Sequence, residues 1–289
     1  MLACSTFAGG CWIVAGLDDR PVGTSVVEPE AGAAADASAT DATSEGGASD
    51  ATSDADPGTV FVDAAFPPCG LSGTPSFHVT MDDLASLSSP LAGSGAGSAT
   101  TITSADFGVG TCSSAVHFFF GLQLSYPEVA PQGDAGAPPP AIIDYTEGTI
   151  TVWYRPDYDD TDVKEHDILR GSDLLGHGGV KLSRATTGRL RFQLHDASGT
   201  LSGNVETVPN RLVKERWAHI AVSWKRGLVP RIFLDGFLEK SHAASDRVVG
   251  GTPATPSPSE RLGVGGAVTG VLSAEGWIDE LRIYKTALP

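Results

Sequence analysis

From Val60 onward, apolar and polar residues alternate with a period of two, and the helical period of 3.6 is scarce. The stretch "GRLRFQLHD" sets Leu190, Phe192 and Leu194 on one face and Arg189, Arg191, Gln193 and His195 on the other. "RWAHIAVSWKR" aligns Ala218, Ile220, Val222 and Trp224. "VPRIFLDG" aligns Ile232 with Leu234 and stops at Asp235–Gly236. That dipeptide signals a two-residue hairpin, because both turn positions need positive φ, and "FLEK" is the returning strand. "GTITVWYRP" is rich in β-branched and aromatic residues and is closed by Pro156. "AVHFFFGLQLSY" is apolar on both sides around Phe118–Phe120 and predicts a strand buried on both faces. "EGWIDELRIY" predicts a last strand. Clusters of Gly, Pro, Asp and Ser separate these segments, as in "PQGDAGAPPP" and "GGTPATPSPSE". The pattern predicts an all-β domain over residues 58–289, a two-sheet antiparallel β-sandwich of the jelly-roll kind.

The alternation has no counterpart upstream. Ala31–Gly58 contains no Leu, Ile, Val, Phe, Tyr, Trp or Met. It can bury nothing to offset an ordering cost of about 1–2 kcal/mol per residue. Residues 21–57 are therefore expected to be a disordered acidic linker, with a neutral low-complexity insertion as the alternative. Charge sharpens the division. Of 35 acids and 19 bases, residues 1–57 hold ten acids and one base, so they carry −9 of the net −16. The rest is mildly acidic, which argues against nucleic acid and anionic lipid surfaces as partners. No apolar run reaches the roughly 20 residues of a membrane-spanning helix.

Residues 1–20 are apolar and lack a positive start. "LAC" followed by Ser5 is similar to the end of a bacterial lipoprotein signal, which would make Cys4 the lipidated residue. Met1 stands where Leu is usual and no hydrophobic core precedes it, as a mis-called start codon would explain. Cys11 is the second candidate, and an ordinary disordered terminus is the bland alternative. The expectation is an extracytoplasmic protein, anchored to the envelope by lipid or secreted, whose linker holds the folded part off a membrane. In such a chain Cys69 and Cys112 are expected to form one disulfide, with two buried free thiols as the alternative.

The order of segments resembles the laminin-G-like jelly roll of the concanavalin-A-like lectin/glucanase superfamily. The resemblance rests on "EGTITVWYRP", "HDILRGSD", "GGVKLS", "GRLRFQLHD", "RWAHIAVSWKRG", "RIFLDGFLEK", "RLGVGG" and "GWIDELRIYKTAL", and covers about Ala115 to Pro289. It implies a domain used mostly for binding carbohydrate, glycoprotein or other extracellular ligands. It also implies that Asp279, at a motif position where members often hold a structural calcium ion, is a metal ligand. Capping of backbone N–H groups is the alternative for Asp279, which by parity shares a face with Leu281 and Ile283.

The superfamily also contains glucanases, so catalysis must be tested on the residues. Its glucanases place two carboxylates on one strand with Glu-x-Asp-x-Glu spacing, and this chain has none: between Glu275 and Asp279 stands Trp277. "PDYDDTD" fails as an EF-hand, with Asp162 where Gly is required and Ile168 where Glu is required. It is expected to be a solvated acidic turn. "RLGVGG" lacks dinucleotide-site spacing and predicts a strand with a tight turn. Trp217 and His219 are a sugar-stacking platform on one reading and local packing on the other. The stripe Arg189, Arg191, Gln193 and His195 is the candidate ligand surface. The expected function is non-catalytic binding or adhesion to carbohydrate or glycoprotein. A diverged glycosidase or lyase, or an architectural envelope protein, is the alternative.

Overall fold

The computed structural model describes residues 69, 73–91, 97–100, 102–129, 141–171, 179–256, 259–267 and 272–288. All lie in the compact unit Gly58–Pro289. The expectations for residues 1–20, the linker at 21–57, Cys4 and Cys11 lie outside the described residues.

Fifteen strands are described: β1 (Phe77–Val79), β2 (Ser98–Thr100), β3 (Phe107–Val109), β4 (Ser114–Phe118), β5 (Gln123–Pro127), β6 (Glu147–Pro156), β7 (His166–Gly171), β8 (Gly179–Arg184), β9 (Leu190–His195), β10 (Leu201–Glu206), β11 (Ala218–Lys225), β12 (Arg231–Leu234), β13 (Phe237–Leu238), β14 (Arg261–Val264) and β15 (Gly276–Tyr284). They form two antiparallel sheets. The first runs β13-β12-β11-β6-β15-β4-β3, with β1 also on β15, and the second runs β10-β9-β8-β7-β14-β5-β2. This is the expected sandwich. A short α-helix, α1 (Leu84–Ser88), interrupts it, opened by a capping box between Asp83 and Ser86.

The alternating residues meet between the sheets. Ile150, Val152 and Tyr154 of β6, and Ile220, Val222 and Trp224 of β11, are buried from the first sheet, and Leu190, Phe192 and Leu194 of β9 from the second. Trp224 and Phe192 join the two, with ring centroids 5.4 Å apart. The Trp224 indole N–H donates to the Asp144 carbonyl at 3.0 Å, so its polar atom is satisfied inside the core. The ring lies over Gly148, where a Cβ would stand 2.3 Å from the indole.

The Asp235–Gly236 turn has φ of 52° and 84°, both positive as the hairpin requires. Arg261–Val264 is a strand followed by left-handed Gly265, φ 72°, on which Phe118 packs. Cys69 and Cys112 form the expected disulfide, with Cα atoms 5.3 Å apart.

Two expectations are corrected. "AVHFFFGLQLSY" is two strands, not one. β4 belongs to the first sheet and β5 to the second, and Gly121, φ 92°, turns the chain between them. Phe118 is fully buried, whereas Phe119 and Phe120 stand at the corner, 45% and 73% exposed. An unbroken apolar run cannot report where a chain leaves one sheet for the other.

The second correction concerns Asp279. β15 pairs Asp279 with Trp153 and Arg282 with Thr151, so three steps on β15 span two on β6. That is a β-bulge, and Glu280 at φ 53° carries it. Ile278 pairs with core Tyr154 before the bulge, and Ile283 with core Ile150 after it. Asp279 therefore lies on the outer face, opposite to Leu281 and Ile283.

Gly148→Ala is expected to cost about 1–3 kcal/mol through overpacking against Trp224. Thermal unfolding followed by tryptophan fluorescence checks this: an unchanged Tm would mean that Trp224 is not wedged between the sheets.

Candidate functional site

On β9, the residues between the core positions turn outward as expected. Cross-strand pairing sets Gln193 beside Lys181 of β8 and Asn204 of β10, and Arg191 beside Ser183 and Glu206. The outer face of the second sheet is an ionic lattice. Lys181 Nζ lies 2.9 Å from Glu165 and 3.0 Å from Asp167. Arg191 contacts Glu165 directly and lies 3.8 Å from Glu206, and Arg170 pairs with Asp167 at 3.0 Å. Three carboxylates meet three cations, so the face is locally neutral although the domain is acidic. Burial raises the Glu165 carboxyl, but hydrogen bonding and charge from Lys181 and Arg191 more than offset this and hold it below the usual range.

The predicted stripe is therefore not a row of free donors. Arg189 donates to the Thr207 carbonyl at 3.3 Å. Arg191 is tied into the lattice. His195 Nδ1 bonds the Gly199 carbonyl at 3.0 Å and serves its own turn. Gln193 alone of the four lines a cavity of about 450 Å³, shared with Leu201, Asn204, Glu206, Asp246 and Arg247. The loop Ser241–Arg247 forms the far wall, held by bridges from Asn204 to Arg247 and from Thr207 to Ser241. Asn204 donates its amide to the Ser245 carbonyl at 2.7 Å, and Asp246 Oδ2 accepts from Ser241 at 2.7 Å. Their other oxygens, Asn204 Oδ1 and Asp246 Oδ1, are buried with no hydrogen-bond partner among the described residues. Buried acceptors of this kind are costly until something donates to them. Sequence reasoning found Gln193 by parity. It missed Asn204 and Asp246, because the loop's return onto β10 leaves no local signature.

The outer face of the first sheet carries a ladder of planar groups. Trp277 of β15 stands between His117 of β4 and Arg155 of β6. It stacks on His117 at 4.6 Å and 9°, and Arg155 lies 4.8 Å from it and 5.4 Å from Trp217. His219 packs on Trp153 instead, 5.0 Å away. Trp217 is thus in contact with Arg155, and His219 with Trp153. The flat surfaces of Trp277 are taken up by its neighbours.

A family model described as the concanavalin A-like lectin/glucanases superfamily matches residues 132–289. The chain belongs to this superfamily. Its fold is similar to that of domain 4 of AbnA, a GH43 extracellular arabinanase from Geobacillus stearothermophilus solved in complex with arabinotriose. Identity there is 17%, covering 75% of this chain and 94% of that one, with a TM-score of 0.53. The binding domain of Paraclostridial Mosquitocidal Protein 1 is similar at 15% identity, 74% of this chain, 49% of that one and a TM-score of 0.51. The Botulinum neurotoxin serotype D binding domain is similar at 10%, 74%, 48% and 0.51. The chain thus spans about half the length of these toxin domains, and at such identities the likeness is one of fold. A search of curated proteins returns no match.

Within the superfamily, the motif Asp was expected to ligate calcium. Here Asp279 Oδ2 accepts from the backbone N–H of Thr111 at 2.8 Å and of Cys112 at 3.0 Å. Gly110 gives it room, since a Cβ there would stand 2.6 Å from Oδ2. Burial pushes the carboxyl up to about 6, with Glu280 and Asp82 adding to the rise. Those neighbours are engaged elsewhere: Glu280 with His78 and Arg282, and Asp82 with the Ser114 N–H. Asp279 Oδ1 and Thr111 Oγ1 are buried without a hydrogen-bond partner among the described residues. These contacts fit a carboxylate that caps the disulfide-bearing loop, the alternative reading of Asp279.

At the end of the second sheet, Glu128 is buried beside Glu260 and accepts from the Tyr145 hydroxyl at 2.7 Å. Burial pushes its carboxyl up to about 7, and the Glu260 charge adds to the rise. A raised folded pKa means that this group favours the fold at low pH and loses that contribution as pH climbs through 7. Asp279 acts with the same sign at lower pH, so the Glu128 effect is best read between pH 6 and 8. Glu128→Gln is expected to flatten the fall in Tm over that window. A parallel fall in wild type and variant would assign the slope to other groups.

Proposed function

We propose that this domain is a non-catalytic extracytoplasmic binding module that takes carbohydrate, free or on a glycoprotein, in the Gln193–Asp246 cavity. The observation that carries this reading is the cavity's lining, in which Gln193, Asn204, Glu206, Asp246 and Arg247 bring donors and acceptors together. Sugar hydroxyls are donors as well as acceptors, so they suit a lining that offers the carboxylates of Glu206 and Asp246 beside the donors of Gln193 and Arg247. The volume is within the usual range for small-molecule sites, about 300–1,000 Å³. The superfamily and the arabinotriose complex of the similar arabinanase domain support the ligand class.

The non-catalytic part is supported by the engagement of the carboxylates at and beside the cavity: Glu206 lies 3.8 Å from Arg191, and Asp246 accepts from Ser241 at 2.7 Å. Glu165 and Asp167 are neutralised by Lys181, Arg170 and Arg191. A glycosidase acid needs a raised pKa and a partner carboxylate open to substrate. Glu165 is shifted the other way. The disulfide fits an oxidising compartment. Anchoring through a lipid on Cys4 belongs to the same proposal, and a palmitate analogue should label the wild type but not Cys4→Ser. Equal labelling, or none, would remove the anchor.

Glycan-array binding followed by calorimetry tests the site. Gln193→Ala and Asp246→Ala should each weaken the best glycan roughly tenfold, the loss of about one to two hydrogen bonds, with Tm little changed. Unaltered affinity in both variants would move the site elsewhere. Release of reducing ends from a polysaccharide panel would replace the binding reading with the glycosidase one.

A further inference from the structure

The acidic turn before β7 and the segment leading into β15 meet where β6 ends, with Gly276 paired to Pro156. Asp162, His166 and Glu275 come together there, each offering one donor atom, and these atoms lie within 4.8 Å of one another. His166 is 1% exposed, and its ring stacks on Tyr158 at 3.9 Å and 8°. Its Nδ1 faces the Ser273 carbonyl at 3.3 Å. A carbonyl can only accept, so Nδ1 holds the proton and Nε2 is the bare nitrogen of a neutral ring.

That nitrogen has no hydrogen-bond partner among the described residues. It faces Asp162 Oδ2 at 3.5 Å, too far for the charge-assisted bond that a protonated imidazole would make at about 2.7–2.9 Å. Two acceptors thus confront each other in a buried place, which favours a cation between them.

The carboxylates are oriented for one. Asp162 Oδ1 accepts from the Lys164 N–H at 2.6 Å and lies 4.0 Å from Arg184, leaving Oδ2 toward His166. Glu275 Oε1 lies 3.5 Å from the exposed Lys164 ammonium. Arg184 Nη1 donates to the Lys164 carbonyl at 3.1 Å, and its guanidinium lies over the Tyr158 ring at 5.2 Å. A histidine fixed by a carbonyl on its far nitrogen, with carboxylates held by outer partners, is the arrangement that metal ligands require.

We propose that Asp162, His166 and Glu275 bind a first-row divalent metal ion, with His166 Nε2 as its nitrogen ligand. One imidazole and two carboxylates suit zinc, cobalt or manganese, whereas calcium and magnesium prefer oxygen alone. Three protein ligands leave at least one position for water or an incoming oxygen. Because β7 belongs to the second sheet and β15 to the first, the ion pins the two sheets together at this end. The site is separate from the proposed sugar cavity and stands or falls independently of it.

The test uses the full chain in a Cys4→Ser, Cys11→Ser background, stripped with EDTA and titrated with zinc, cobalt(II), manganese or calcium chloride. One equivalent of zinc or cobalt should bind, and Tm should rise by roughly 5 °C or more at a hundredfold excess over Kd. Asp162→Asn and Glu275→Gln should each weaken binding roughly tenfold or more. His166→Gln should abolish the visible cobalt spectrum. Should His166→Gln fail to fold, the two carboxylate variants decide. No binding to the parent, unchanged affinity in both carboxylate variants, or stabilisation by calcium alone would each overturn the proposal. The first of these would leave His166 held by the Ser273 carbonyl and the Tyr158 ring, with no ion between it and Asp162.

Discussion

The contact between Trp224 and Phe192 sets the spacing of the two sheets, and the remaining architecture is arranged around it. An indole of that size fits because Gly148 on the neighbouring strand has no side chain beneath it. Its N–H is satisfied by the Asp144 carbonyl, so the ring can be wholly interior at no hydrogen-bonding cost. With this layer in place, the central strands each turn one face inward, and the charged groups stand on the outward faces or at the ends.

β15 shows how one irregularity redistributes function. It is central, pairing with β6 on one side and with both β4 and β1 on the other. The bulge at Glu280 lets its two halves serve different neighbours, and it turns Asp279 from the core to the outside. There the carboxylate binds the amides of Thr111 and Cys112, beside the Cys69–Cys112 bond, while Arg282 donates to the Cys69 carbonyl at 2.8 Å. The disulfide, the capping carboxylate and the arginine together fasten the early segment to the last strand. Few of these contacts are local in sequence, so their order depends on closure of the sandwich.

The two outer faces have been used differently. The first sheet satisfies its aromatics internally, in the ladder of Trp217, Arg155, Trp277 and His117. The second sheet satisfies its charges internally, in the lattice of Glu165, Asp167, Lys181 and Arg191. Among the buried polar atoms left without a hydrogen-bond partner in the described residues are the acceptors over β10 and the bare nitrogen of His166. Both lie where a loop folds back onto a sheet, which is where backbone freedom permits a polar atom to be left unpaired.

The sequence by itself determined which residues face inward on β9, β11 and β12, the Asp235–Gly236 hairpin, the strand at Arg261–Val264 and the resemblance to the superfamily. These depend on period-two alternation and on turn chemistry, both local properties of the chain. It also placed Gln193 outward by the same parity. Tertiary structure alone decided that Arg189, Arg191 and His195 are engaged, that Phe119 and Phe120 mark a crossing between sheets, and that Asp279 caps a loop. It alone brought Asn204 to Asp246 and Asp162 to Glu275. The reason is physical: parity is carried by neighbouring residues, whereas a bulge, a corner or a meeting of distant loops arises only when remote strands pair.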